Sequence, residues 1–241
     1  MPSLQAMEPH GRALEDEYRG RRSHELTIHR EDGHAGAVPV GLFLTDTPVF
    51  PQETQVLERC RGRILDVGAG AGRHALHLQA RGLEVCAIDV VPQAVAVMRE
   101  RGVRTTLQAD FLAFGGTGFD TVLLLGHGLG MAGDLVGLEP WLCHLDRVVA
   151  DRGQVLADSL DVRCTEQAVH LDYQSSLEAR GRYRGEMRFH LEYEGVVGAE
   201  FGWLHVDFDT LSSLAARRGW RAEHIARDDD GNYWCCLTRA P

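Results

Sequence analysis

A chain of 241 residues, 44% of them hydrophobic, is long enough to bury the core of one large domain. Its 25 basic residues against 35 acidic ones give a formal net charge of −10, a balance that repels a polyphosphate backbone and argues against nucleic acid as a partner. The cysteines at 60, 86, 143, 164, 235 and 236 form no Cys-x-x-Cys pair or zinc-ligand spacing, and no run reaches the roughly 20 apolar residues of a membrane span, so a cytoplasmic protein with reduced thiols, no metal and no membrane anchor is expected.

Residues 1–50 read as an N-terminal appendage or lid: a charged helix from about Glu8 to Arg19, then Gly and His punctuation, then an apolar patch at Val38, Val40, Leu42, Phe43 and Leu44. The arginine clusters at Arg19–Arg22 and Arg180–Arg184 have acidic neighbours and read as solvated faces. From residue 51 to 241 the pattern is that of one domain. Pro51 suits a first helical turn, and Val56, Leu57 and Cys60 share a helical face. Ile64, Leu65 and Val67 form the apolar run of a strand covered on both sides, and Ala75, Leu76 and Leu78 open a helical repeat that Gly82 can close. Between them lie Gly68, Gly70 and Gly72, where the backbone can turn sharply and approach a ligand with no Cβ in the way. The helix that follows offers unpaired N–H groups at its start. A dinucleotide fingerprint places Gly or Ala three residues after Gly70, but Arg73 stands there. Asp66, ahead of the glycines, can accept from loop amides or take an ammonium group, and would repel a pyrophosphate.

A second strand, 83–89, ends in Asp89; Pro92 then begins a helix whose buried face is Ala94, Val95, Val97 and Met98. The next strand, 103–109, is followed by Asp110, and a fourth, 119–125, runs into Gly126-His127-Gly128. A helix over 138–149 and a fifth strand at 154–157 continue the alternation. Such strand-helix-strand units imply parallel pairing and right-handed crossovers, so Asp66, Asp89 and Asp110 fall on one edge of the sheet. On that edge Asp89 can accept from both hydroxyls of a ribose, and Asp110 from an adenine amino group. Met187, Phe189, Leu191 and Tyr193 then alternate with polar residues, which predicts a hairpin over about 183–206 inserted before a last helix that Asp209 can cap. Asp229-Asp230-Gly231 predicts a closing hairpin. The expected fold is α/β, a doubly wound and mostly parallel seven-stranded sheet with an antiparallel last strand and an inserted β-hairpin.

The run Asp66-Val-Gly-Ala-Gly-Ala-Gly72, together with Asp89 and Asp110, resembles the signature of class I S-adenosylmethionine-dependent methyltransferases over roughly residues 51–160. The closing hairpin is similar to that superfamily's reversed last strand. This resemblance implies a Rossmann-like fold and S-adenosyl-L-methionine as cofactor. It further implies a site in which Gly68, Ala69, Gly70 and Gly72 form the cofactor loop, with Asp66 near the methionine end. Asp89 and Val90 would serve the ribose, Ala109, Asp110 and Phe111 the adenine, and Gly126 would close the pocket after the fourth strand. The layout is similar to small-molecule members of the quinone-biosynthesis and tellurite-resistance type, so in-line methyl transfer to a small-molecule acceptor is expected. A non-catalytic module binding S-adenosylmethionine or S-adenosylhomocysteine, and a protein methyltransferase, remain open alternatives. Gly126-His127-Gly128-Leu129 departs from the Asn/Asp-Pro-Pro-Tyr/Phe sequence of members that methylate the amino groups of nucleobases and amides. His127 is the candidate catalytic residue, because imidazole accepts and releases protons near neutral pH, with Asp158, Asp161, His170 and Tyr173 as competitors. The alternative for His127 is a turn residue that bonds a backbone carbonyl.

Overall fold

The structure, a computed structural model, describes residues 2–21, 25–46 and 48–240. Helix α1 (Leu4–Tyr18) begins at Ser3, whose hydroxyl accepts from the Ala6 N–H at 3.2 Å. Strands β1 (Glu25–Arg30) and β2 (Ala35–Pro39) and a 3₁₀ turn (Val40–Leu44) complete the N-terminal segment. The alternating part follows as α2 (Pro51–Glu58), β3 (Arg63–Val67), α3 (Arg73–Ala80), β4 (Glu84–Asp89), α4 (Pro92–Glu100), β5 (Thr105–Gln108), β6 (Phe119–Leu124), α5 (Leu135–Val148) and β7 (Val149–Leu160). Next come α6 (Ala168–Ala179), β8 (Glu186–Tyr193), β9 (Val196–Val197), β10 (Phe201–Leu204), α7 (Phe208–Ala216), β11 (Trp220–Arg227) and β12 (Asn232–Arg239).

Seven strands make the main sheet in the order β11-β12-β7-β6-β3-β4-β5. The five from β7 to β5 are parallel, and β12 enters antiparallel between β7 and β11. Strand periodicity divides the core in two. Leu65, Val67, Val122, Leu124, Cys235 and Leu237 face α5 and α7 with Trp141, Leu145 and Leu211, whereas Ile64, Leu123, Trp234 and Cys236 face α2, α3 and α4 with Leu57, Leu78 and Met98. Parallel strands buried on both faces read as continuous apolar runs, and those were the segments predicted.

The N-terminal segment and the inserted hairpin are not separate decorations. They share one antiparallel sheet, β10-β8-β1-β2, with β9 on β8, in which Ile28 lies opposite Leu191 and His29 opposite His190. Its inner face, with Leu26, Leu191, Tyr193 and Phe201, packs together with α1 against Ala71, Val91, Ala94 and Val97. This second sheet therefore roofs the edge where the main strands end.

Three local expectations are corrected. The fifth strand is a 12-residue element, not the short run at 154–157, because β12 and β6 pair along both of its sides. Helix α6 was not foreseen: it buries only Tyr173, Gln174 and Leu177 and has no side-chain N-cap, so its pattern is faint. The cap of α7 is Asp207, not Asp209, with Asp207 Oδ1 accepting from Thr210 N at 3.1 Å. Arg19 does sit on a solvated face, paired with Glu15 and Glu100, while Arg22 lies outside the described residues.

Asp207 also accepts from the Tyr183 hydroxyl at 2.6 Å, and that hydroxyl in turn accepts from Asp207 N at 2.9 Å. Asp207→Ala removes the cap and strands a partly buried phenol, at a combined cost of about 2–4 kcal/mol. Thermal denaturation should show a fall in Tm of about 4–16 °C, and Asp207→Asn should recover part of it.

Candidate functional site

The glycine loop leaves β3 and turns through left-handed backbone at Gly68, Gly70 and Gly72 (φ 68°, 56° and 81°). The two later glycines have different reasons. A Cβ at Gly72 would lie 2.6 Å from Val103 Cγ2, so this glycine lets α3 pack closely, whereas a side chain at Gly70 would project into open space. Gly68 N and Ala69 N both donate to Ile88 O, at 2.9 and 3.1 Å, which ties the loop to β4. Asp89, at the end of β4, completes the tie: Oδ2 accepts from Gly70 N and Oδ1 from Val91 N, each at 2.9 Å. Burial raises its pKa despite these bonds, and each oxygen keeps acceptor capacity for a further donor.

A cavity of about 530 Å³ opens over this loop. Gly68, Ala69, Gly70, Asp89, Val90, Gly126 and His127, all expected at the site, line its floor. Met7, His10, Phe43, Phe201, Trp203 and His205 of the N-terminal segment and second sheet form its roof. The other expected residues stand back from the wall. Gly72 is the N-cap of α3. Asp66 is 2% exposed beneath the loop, its Oδ2 has no hydrogen-bond partner, and burial raises its pKa. Ala109 and Asp110 do not reach the cavity; the Asp110 carboxylate accepts from Leu112 N at 2.8 Å and caps a 3₁₀ turn. Phe111 is fully buried in the core, its ring 4.8 Å from Trp141.

His127 is one of two non-glycine residues with positive φ (58°) among the described residues, a conformation that the surroundings must hold in place. They do so through Asp158, which is 1% exposed and accepts from His127 N at 2.7 Å and Gly126 N at 3.2 Å. Asp158 thus positions the turn. Among the described residues the His127 ring bonds no backbone carbonyl; Nε2 lies 3.1 Å from Asn232 Oδ1, and the ring stands edge-on to His205 at 5.3 Å. Asp161 and His170 line a different, larger cavity of about 850 Å³, while the Tyr173 hydroxyl donates to Glu31 at 2.9 Å. The two cavities share Ile28, Leu160, Phe189 and His205 as wall residues.

Several groups at the site escaped the sequence reading. Glu53, on α2, is 1% exposed and forms a two-point ion pair with Arg73 at 2.6 and 3.0 Å. Burial alone would raise the Glu53 pKa, but His74 and Arg73 together hold it far below the usual carboxylate range. Arg73 and His74 both line the smaller cavity, so the residue that broke the dinucleotide fingerprint is part of the site. His10 and His205 each have a buried Nδ1 without a partner, and burial pushes their pKa values down to about 4 and about 3. Their signal lay only in long-range pairing. Among the described residues no three His, Cys, Asp or Glu side chains gather as a metal site, and no helix is long and apolar enough to cross a membrane.

Residues 64–153 match the family described as "Methyltransferase domain". A SAM-dependent methyltransferase from Bacteroides fragilis, crystallised with S-adenosyl-L-homocysteine, is 32% identical, with 100% of this chain and 98% of that one covered and a TM-score of 0.85. The CcbJ methyltransferase from Streptomyces caelestis shares the fold at 14% identity and a TM-score of 0.60, with 82% of this chain and 93% of that one covered. Uncharacterized methyltransferases of Mycobacterium tuberculosis and Mycobacterium bovis are 37% identical over 62 residues, 25% of this chain, and the match spans 26% of those curated relatives.

The buried Glu53–Arg73 pair generates a stability prediction. Glu53→Ala leaves a guanidinium that is 13% exposed without its carboxylate, which should cost about 3–5 kcal/mol in chemical denaturation.

Proposed function

The chain belongs to the class I S-adenosylmethionine-dependent methyltransferases, and we propose that it transfers the methyl group of its cofactor, S-adenosylmethionine, to a small-molecule acceptor held beside the glycine loop. The observation that carries this reading is the common wall of the two cavities at Ile28, Leu160, Phe189 and His205, next to His127. One cavity has the features a nucleoside needs: open space beside Gly70, and a carboxylate, Asp89, with acceptor capacity left for a ribose diol. The other supplies room for an acceptor to enter from the far side. The net charge of −10 further favours a small molecule over a nucleic acid.

When bound, the cofactor supplies a methyl group activated by a positively charged sulfur. The protein's own part is mainly to align and to exclude water. Ala69 and Gly70 line the floor, Asp89 holds the ribose hydroxyls, and Asp66 stands behind the loop at the methionine end. Phe201, Trp203 and Phe43 close the roof. Alignment for in-line attack can supply up to about 7–11 kcal/mol, and His127, taking the acceptor's proton, a further factor of about 10²–10⁴. The electron pair of the breaking C–S bond stays on sulfur and leaves a neutral thioether.

Asp89→Ala should weaken S-adenosylhomocysteine binding more than tenfold by calorimetry, since two charge-assisted bonds of about 1.5–3 kcal/mol each are lost. With methyl-labelled cofactor and cell extract, the label should appear in a small-molecule fraction. Label found only on protein would overturn the acceptor class, and no turnover at all would favour a binding module. His127→Ala should lower that turnover at least tenfold while cofactor affinity stays within about twofold.

A further inference from the structure

The hydrogen bond of His127 ends on a side chain that is itself held in one orientation. Asn232 Nδ2 donates to Asp228 Oδ2 at 2.8 Å, and Asn232 N donates to Asp228 Oδ1, also at 2.8 Å. A carboxylate offers only acceptors, so the amide's NH₂ must face Asp228 and its carbonyl oxygen must face the imidazole. An oxygen at 3.1 Å from Nε2 requires that Nε2 carry a proton. In neutral His127 the lone pair is then on Nδ1, which makes no hydrogen bond to the described residues, while His127 lines the cofactor cavity. Asp228 is fixed in its turn by the hairpin, because Asp228 N donates to Asn232 O at 3.0 Å and Asp228 Oδ1 accepts from Asp230 N at 3.1 Å.

We propose that Asp228 and Asn232 are positioning residues that commit His127 Nε2 as a donor, so that Nδ1 removes a proton from an acceptor whose nucleophile is O–H or N–H. The proposal rests on the methyltransferase reading above. Its step balances: the acceptor's oxygen or nitrogen forms the new bond to the methyl carbon, the C–S bond breaks with its electrons to sulfur, and the acceptor's proton passes to Nδ1. The Nε2–H bond to Asn232 is the same before and after, so protonation requires no reorganisation of the ring. The Asp158 carboxylate accepts from the His127 backbone N–H and so holds the turn that carries the ring, while burial keeps the neighbouring His205 neutral. An acceptor that is already an anion, or one attacked at carbon or sulfur without such a proton, gives Nδ1 nothing to do.

The test uses the full chain with saturating S-adenosylhomocysteine and ¹⁵N-labelled histidine, with the His127 signals assigned by their loss in His127→Gln. Ring spectra at about pH 9, where neutral imidazole dominates, should show a slowly exchanging Nε2–H and an unprotonated Nδ1. The Nε2–H resonance should vanish in Asn232→Ala. The variant should keep S-adenosylhomocysteine affinity within twofold. A ring proton on Nδ1, or an Nε2–H signal that survives Asn232→Ala, would overturn the proposal. So would a tenfold loss of affinity in Asn232→Ala, which would make Asn232 part of the cofactor pocket. The labelled product from extract should be an O- or N-methyl compound, and a C- or S-methyl product would also overturn it. Failure of the wild-type chain to bind S-adenosylhomocysteine would instead strike at the methyltransferase reading, and the ring spectra would still report on the relay.

Discussion

The site depends first on one carboxylate. Asp89 joins two chain segments, the turn after β3 and the start of α4, by holding one backbone N–H from each. A buried anion is tolerated only where it is bonded, and here the bonds it needs also shape the loop. The constraint spreads from there. Arg101, at the far end of α4, donates to Ala71 O and to Leu44 O, both at 2.6 Å, so the helix that Asp89 anchors also straps the N-terminal segment to the glycine loop. Floor and roof are thereby one mechanical unit.

A roof made from residues far apart in the chain explains the unusual histidines. His10 arrives on α1 and His205 just after β10, and each is dry enough to be held neutral. Water excluded from this edge strengthens every remaining electrostatic interaction, including the Glu53–Arg73 pair. The acidic surface of the protein and the closely paired interior of its site therefore belong to different dielectric regimes.

The main sheet was legible because its central strands are buried on both faces and its turns carry glycines. Gly68, Gly70 and Asp89 could be placed for the same reason: turn chemistry and strand ends are local properties. What was not legible depended on contacts distant in sequence. Glu25–Arg30 is a modest alternating run that pairs on one side with β8, more than a hundred residues later, and α6 buries too few residues to show a helical stripe. The strand before Asp110 and Phe111 is shorter than predicted, and in this structure Asp110 caps a 3₁₀ turn and Phe111 lies in the core. Arg73 looked like a defect in a motif and is instead half of a buried ion pair with Glu53, whose helix carries no mark of its destination.

The position of β12 in the sheet has a consequence for how the molecule is made. This strand follows the other described strands in the chain yet lies between β7 and β11, so β7 waits with an open edge until β12 has been made. During that interval an apolar strand with unpaired N–H and C=O groups is exposed to any neighbouring chain, which is an aggregation hazard. Asn232 is the first residue of the same strand. The event that seals the vulnerable edge also brings the last partner to His127, so a nascent chain that has not yet buried its sheet also lacks the hydrogen bond that orients its imidazole.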